Sequence, residues 1–279
     1  MNLGILGAGR IAVIMSQTVR LMNENNIGNV KLYAVAARDL KRAQQFAQEH
    51  GVEKAYGSYE EMLQDPEVDL VYVATPHSHH MEHGLLCVEH GKAALVEKAF
   101  AGNAAQAEKL LKRAEEKQVL VTEAIWTRYQ PMRRMINEIV ESGIVGEARN
   151  ITCNLNYAIT DKERIVDPAL AGGALLDVGV YTLNFAEMIF GRCDEIRACC
   201  QKSDRGVDVT DSITLFWNDG RMAIMTAGID AMGDRQGLIY CTKGYIEVEN
   251  INNPQEIRVF DENYLCIKTI PCPPQQTGF

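Results

Sequence analysis

The distribution of apolar positions divides the chain into two regimes that meet near residue 123. In the first, short apolar runs alternate with stretches whose apolar residues recur every three or four positions, the spacing that lines one face of a helix. A strand at 2–6 precedes a helix at 10–22 that carries Ile11, Ile14, Met15, Val19 and Met22 on one stripe. Gly28 marks a turn before a strand at 30–37. The helix at 40–50 is closed by Gly51 in the C-terminal capping position. A short helical piece at 59–63 stops before Pro66. The run 69–74 is apolar almost throughout, as suits a parallel strand buried on both faces. Helix 80–90, strand 93–96, helix 104–117 and strand 119–122 carry the alternation through six rounds. This pattern predicts a doubly wound α/β domain with a parallel sheet over residues 1–123.

The second regime, 124–279, has strands in series. A helix at 132–142 ends at Gly143, and a long strand at 147–157 alternates cleanly, with Ile151, Cys153, Leu155 and Tyr157 on one face. A helix is predicted at 174–190, then alternating segments at 212–217, 221–227, 236–240, 245–249 and 256–260. Strands without intervening helices predict a large, mainly antiparallel sheet in an α+β domain. Ile213, Leu215 and Trp217 alternate with Thr214 and Phe216, which puts apolar groups on both faces. One face meets a helix layer; the other is expected to meet a second subunit, making a homodimer.

Composition narrows the class. A chain of 279 residues fits about two domains, and a net charge of −9 argues against a nucleic-acid surface. The longest apolar runs fall short of the ~20 residues that span a bilayer, so no membrane partner is expected. The first strand starts at once, without the charged and apolar regions of a secretory leader. The eight cysteines form no C-x-x-C pair and several sit in apolar alternations. Reduced core thiols in a cytoplasmic protein are the expectation, with neither a disulfide framework nor a zinc site.

The candidate chemistry begins at the end of the first strand, where Gly7-Ala8-Gly9-Arg10-Ile11-Ala12 fits the G-x-G-x-x-G/A turn of a Rossmann dinucleotide site. Gly7 permits the turn, Gly9 lets a pyrophosphate approach the backbone, and Ala12 allows close helix–strand packing. The N–H groups at Arg10 and Ile11 then open a helix whose positive end faces the phosphates. At the end of the second strand no carboxylate is present to bind ribose hydroxyls. Arg38 stands there instead, suited to a 2′-phosphate, so NADP is the expected cofactor, with NAD possible. The competing reading makes Arg38 a solvated residue before a helix capped by Asp39.

Further candidates follow at the strand ends, where open α/β sheets bind ligands. Thr75, Pro76 and His77 are expected to border the nicotinamide. His77, His79 and His80 lie too close together in one loop to converge on a metal, and no metal site is expected. Glu97 and Lys98 end the next strand and are expected to border the cofactor, with Lys98 placed to donate a proton or hydrogen bond to a substrate oxygen, against the plainer reading of a surface lysine paired with Glu97. Asp177 and Tyr181, four apart, share one face of the predicted helix, with Gly179 between them allowing a close approach. A phenol beside a lysine is a workable proton relay for alcohol oxidation; the plainer reading is a buried Asp bonded to a Tyr.

With these residues in place the chain resembles the glucose–fructose oxidoreductase, inositol dehydrogenase and rhizopine-catabolism (Gfo/Idh/MocA) family. Within it the likeness is greatest to the branch of dimeric dihydrodiol dehydrogenases and NADP-dependent D-xylose dehydrogenases. Glu97-Lys98 resembles the family's E-K-P signature, with Ala99 in place of proline. The segment 123–129 is similar to the E-A-x-W-T-R segment of that branch, and 164–168 with 172–177 match it as well. Tyr181 stands where most of the family carries His. The resemblance implies an oxidoreductase acting on a sugar or diol, with Tyr181 as general acid/base, Lys98 as its electrostatic partner and Asp177 as an orienting group. It also implies Trp126, Arg128 and Arg164 as substrate-pocket residues. Family members continue past the position of Phe279, so the second domain is expected to lack their last elements. Two other uses of the fold compete: a non-catalytic nucleotide-binding regulator, disfavoured by the intact Lys98, Asp177 and Tyr181, and an NAD-assisted glycoside hydrolase, disfavoured by Arg38 and Tyr181.

Overall fold

The computed structural model describes residues 1–274. The chain divides into two compact units, Met1–Ala124 and a second that begins at Ile125.

The first unit runs β1 (Asn2–Leu6), α1 (Arg10–Glu24), β2 (Lys31–Ala36), α2 (Leu40–His50), β3 (Lys54–Tyr56), α3 (Tyr59–Gln64), β4 (Leu70–Val73), α4 (His80–Glu89), β5 (Ala93–Glu97), α5 (Ala104–Lys117) and β6 (Val121–Ala124). The six strands are parallel in the order β3-β2-β1-β4-β5-β6. Strand order reverses on either side of β1, which opens the crevice where such sheets take their ligands. Period-two alternation sends Ile5 and Val35 to one apolar layer with Ala12, Val19 and Phe46. Leu6, Ala36 and Val73 go to the opposite layer with Met62, Leu63 and Cys87. Local signals set the helix ends: Asp39 accepts the Lys41 N–H at the start of α2, and Gly51 closes it in the left-handed region.

The second unit contains α6 (Pro131–Glu141), β7 (Ala148–Asn156), α7 (Glu163–Val166), α8 (Val180–Phe190), β8 (Glu195–Lys202), β9 (Asp208–Phe216), β10 (Met222–Gly228), β11 (Gly237–Cys241), β12 (Gly244–Val248), β13 (Glu256–Asp261) and β14 (Cys266–Pro271). Its eight-stranded sheet has the order β14-β13-β12-β11-β7-β10-β9-β8, and every pairing is antiparallel except β7 with β10. Ile151, Leu155, Leu215, Met225 and Ile246 face a helical layer that includes Ile136, Val178 and Phe185. Ile224 and Tyr240 remain exposed on strands whose alternate residues are buried.

Three strands escape the sequence pattern. β3 is three residues long; β8 is exposed at every position and β14 at nearly every one, so neither edge strand carries a buried face to betray it. The predicted helix at 174–190 is also corrected. Its opening, Leu175–Gly179, is a π-helical turn that leads into α8, so Asp177 and Tyr181 are not spaced as on a regular α-helix. The helical stretch Pro168–Phe190 is long and apolar enough to cross a membrane by length and composition. More than half of its most apolar window is buried inside the protein, which marks it as a core helix. All eight cysteines are free thiols.

Candidate active site

In the first unit, β1 delivers the chain into the glycine turn. Gly7 has φ +105°, and a methyl group there would press on the Ala74 carbonyl and Thr75 at 3.1 Å, so the fold itself requires this glycine. Gly9 is different. Its backbone is extended (φ −107°), and outside its chain neighbours a methyl group would meet only the Ala74 oxygen, at 4.0 Å. Protein packing does not explain Gly9; it keeps open the space in front of α1. That helix has no acidic residue in its first turn and no side-chain cap, which leaves its positive end and the N–H groups near Arg10 and Ile11 facing that space. A nucleotide pyrophosphate fits such a cradle.

Arg38 is exposed just beyond β2, behind the small buried residues Ala36 and Ala37. Asp39 does cap α2, and Arg38 keeps its place at the mouth of the sheet alongside it. The structure adds Arg42, one turn further on, whose Nη2 donates to the Ala8 carbonyl between the two glycines at 3.0 Å. Both guanidinium groups act on the Tyr59 hydroxyl, opposing the burial that pushes its pKa up. Arg42 was missed because only the folded helix brings it to the turn.

At the next strand end, Thr75 and His77 are partly buried and Pro76 is exposed. His80 is fully buried; its Nδ1 lies 2.6 Å from the Ala99 carbonyl and its Nε2 2.7 Å from the Thr75 carbonyl. One imidazole thus ties the end of β4 to the turn after β5. Burial pulls the His80 pKa down, and the two carbonyls pull against it. His83 pairs with the Thr75 hydroxyl at 2.9 Å, and burial with His79 nearby pushes its pKa down to about 4. These imidazoles therefore serve the protein's own loops.

Glu97 lies behind the β5 mouth. It accepts from the Tyr72 hydroxyl and, at 3.1 Å, from the Lys98 backbone N–H, and burial raises its pKa. It shapes the turn on which Lys98 sits. The Lys98–Ala99 peptide is cis.

In the second unit, the turn Trp126–Tyr129 brings the Trp126 indole to α8, where Nε1 donates to the Tyr181 hydroxyl at 2.8 Å. Tyr181 is 6% exposed. Arg164, from α7, donates to the buried Asp177 carboxylate at 2.9 Å. Arg128 stands exposed on the same turn as Trp126. Gly179 is approached closely, but by protein: a methyl group there would meet Leu175 at 3.2 Å and Ala227 of β10 at 3.5 Å. Trp126, Tyr181, Arg164 and Asp177 thus form two bonded pairs drawn from three separate stretches of chain.

A parallel sheet with an open phosphate cradle, followed by a sheet domain carrying a buried phenol and a paired carboxylate, defines the class of nicotinamide-dependent oxidoreductases. The comparisons agree. Residues 1–125 match the oxidoreductase family with an NAD-binding Rossmann fold, and residues 133–247 match the GFO/IDH/MocA C-terminal domain. The trans-1,2-dihydrobenzene-1,2-diol dehydrogenase of Danio rerio is 36% identical over 88% of this chain and 73% of its own length. That of Bos taurus is 35% identical over 97% and 80%. In fold the chain resembles an NAD binding oxidoreductase from Klebsiella pneumoniae (TM-score 0.87, 22% identity, 98% of this chain and 80% of that one). It also resembles a 3-ketoreductase from Actinomadura kijaniata solved with NADP and TDP-benzene (TM-score 0.86, 24% identity, 98% and 85%). The chain belongs to the Gfo/Idh/MocA family of NAD(P)-binding oxidoreductases.

Proposed function

We propose that the protein moves hydride between NADP(H) and a secondary alcohol, as found in an aldose or vicinal diol. The observation that carries this reading is the buried Tyr181 phenol with the Trp126 N–H aimed at its oxygen. Such a donor stabilises the negative charge that builds on a phenolic oxygen when its proton moves. The phenolate stabilised in this way would take the hydroxyl proton of the alcohol and become a phenol as the carbinol carbon loses hydride. The nicotinamide, when bound, supplies the hydride acceptor. Gly7, Gly9, Arg10 and Ile11 would hold the pyrophosphate; Arg38 and Arg42 the 2′-phosphate; Thr75, Pro76 and His77 the nicotinamide edge. Lys98 supplies positive charge to the oxygen that passes from hydroxyl to carbonyl. Asp177, aligned by Arg164, would accept hydrogen bonds from substrate hydroxyls, with Trp126 and Arg128 bordering the same pocket. The dihydrodiol dehydrogenase relatives and an aldose-aldose oxidoreductase from Caulobacter crescentus, similar in fold, support this substrate class. The exposed sheet face with Ile224 and Tyr240 supports a homodimer, and sedimentation as a monomer at micromolar concentration would refute it. The direct test is NADPH formation across a panel of aldoses and trans-diols. Turnover with the purified chain is expected, with NAD a poorer acceptor; no reduction with any of them would overturn the reading.

A further inference from the structure

The head of the helix that bears Tyr181 is held from behind by a strand. Leu175 opens the π-helical turn, and the residue before it, Ala174, has no side chain able to cap it. The cap comes from β9: the Asp208 Oδ2 accepts the Leu175 N–H at 2.6 Å. The other Asp208 oxygen fills the space at Gly173, where any side chain would collide with it, and Gly173 has φ +126°. Glycine at 173 is therefore matched to a carboxylate seated in the turn.

Three residues along β9, Asp211 is 5% exposed, and its Oδ2 has no hydrogen-bond partner. It lies close enough to Asp208 for the two carboxyls to share a hydrogen bond. Two carboxyls can do so only when one holds a proton. The one basic side chain in register with the pair is Lys202 of β8, which stands opposite the half-buried Asp208 and not the buried Asp211. Asp211 is registered with Cys200 of β8 and Ala227 of β10, so neither neighbouring strand sets a basic side chain opposite it. Over it, the π-helical turn carries Asp177, which is bonded to Arg164; Arg205, at the entry to β9, is bonded to Glu163. Among the described residues no group of His, Cys, Asp and Glu is arranged to hold a metal ion. A proton held between the two carboxyls would satisfy the buried one.

We propose that Asp208 and Asp211 share one proton and, through Leu175, act as a positioning pair that fixes the turn presenting Asp177 and Tyr181. The consequence for catalysis rests on the role given to Tyr181 above; the consequence for structure does not. Burial and the Asp208 charge together push the Asp211 pKa up to about 7. The folded state therefore keeps a proton that the unfolded chain releases near the ordinary carboxylate value. The stabilisation is complete in acid, falls as pH rises through about 7, and is level above that. Above that pH the buried Asp211 and the half-buried Asp208 both carry negative charge, and Asp208 loses its fixed place under Leu175.

The test uses the full chain without ligands, labelled with 15N-tryptophan, and follows the indole N–H of Trp126, the donor to Tyr181. Trp217→Phe assigns the two resonances. In the wild type the Trp126 resonance is expected to move with a midpoint near 7. Asp211→Asn mimics the protonated acid and is expected to hold the resonance at its low-pH position throughout. A wild-type resonance that stays still from about pH 5 to about pH 9 overturns the proposal, as does an Asp211→Asn resonance that titrates like the wild type. The wild-type titration decides the matter even if the variant fails to fold. In turnover assays the same midpoint is expected in kcat with KM unchanged, and it is lost in Asp211→Asn. A chain that shows no turnover but whose Trp126 titrates retains this proposal and loses only the enzymatic one.

Discussion

The two units prepare for chemistry by different means. The first works through its backbone: a strand end, two glycines and the bare start of α1 make a cradle whose donors are main-chain N–H groups. The second works through side chains that meet across long stretches of sequence, Trp126 with Tyr181 and Arg164 with Asp177. Backbone cradles are fixed by conformation and tolerate many side chains around them. Side-chain pairs are fixed by packing and fail when one partner is removed. The first design suits holding a ligand common to many reactions, and the second suits moving a proton in one of them.

This division can be broken most forcefully at Tyr181. Tyr181→Phe is expected to lower kcat by about 10²–10⁴-fold while the NADP dissociation constant stays within error, measured by steady-state kinetics and fluorescence titration. Lys98→Ala should fall in the same direction. An equal loss of nucleotide affinity in either would mean that the two designs do not separate. Next come Arg38→Ala and Arg42→Ala. Each is expected to weaken NADP binding by about tenfold or more, with NAD binding nearly unchanged, because a charge-assisted hydrogen bond to the extra phosphate is lost. The glycines sharpen the contrast inside the first unit. Gly7→Ala should cost about 1–3 kcal/mol of stability in denaturant melts, since alanine is strained at its positive φ. Gly9→Ala should leave the melt unchanged and reduce dinucleotide affinity alone. The smallest effect is expected for Arg164→Ala. Half of Arg164 is exposed, so removing it should cost only about 1 kcal/mol, visible chiefly as a raised KM.

What could be read from the chain follows the same line. Helix α2 is legible because Asp39 and Gly51 bracket an apolar stripe, and the glycine turn is legible because three small residues occur at fixed spacing. Lys98, Asp177 and Tyr181 stand out as polar residues in apolar settings. Their partners do not. Trp126 and Tyr181 are 55 positions apart, Arg42 reaches back 34 positions to Ala8, and Leu175 is capped from 33 positions away. No local period records such pairings. The π-helical turn is equally hidden, since its sequence reads as helix and Asp208 stands in a different strand. β8 was missed for a related reason: an edge strand exposed at every position carries no burial pattern at all.

The single parallel pairing in the second sheet bears on how the molecule comes to be. Ile151 of β7 lies beside Ala223 of β10, and everything from α7 to β9 is enclosed by that contact. Closing so long a loop costs entropy before it brings any reward, and parallel neighbours cannot be joined by a hairpin that would form first. The segment carrying Asp177 and Tyr181 is thus threaded inside the closure. A nascent chain that has not yet synthesised β10 lacks the strand that seals it, so the segment bearing Asp177 and Tyr181 is assembled only when the centre of the sheet is complete.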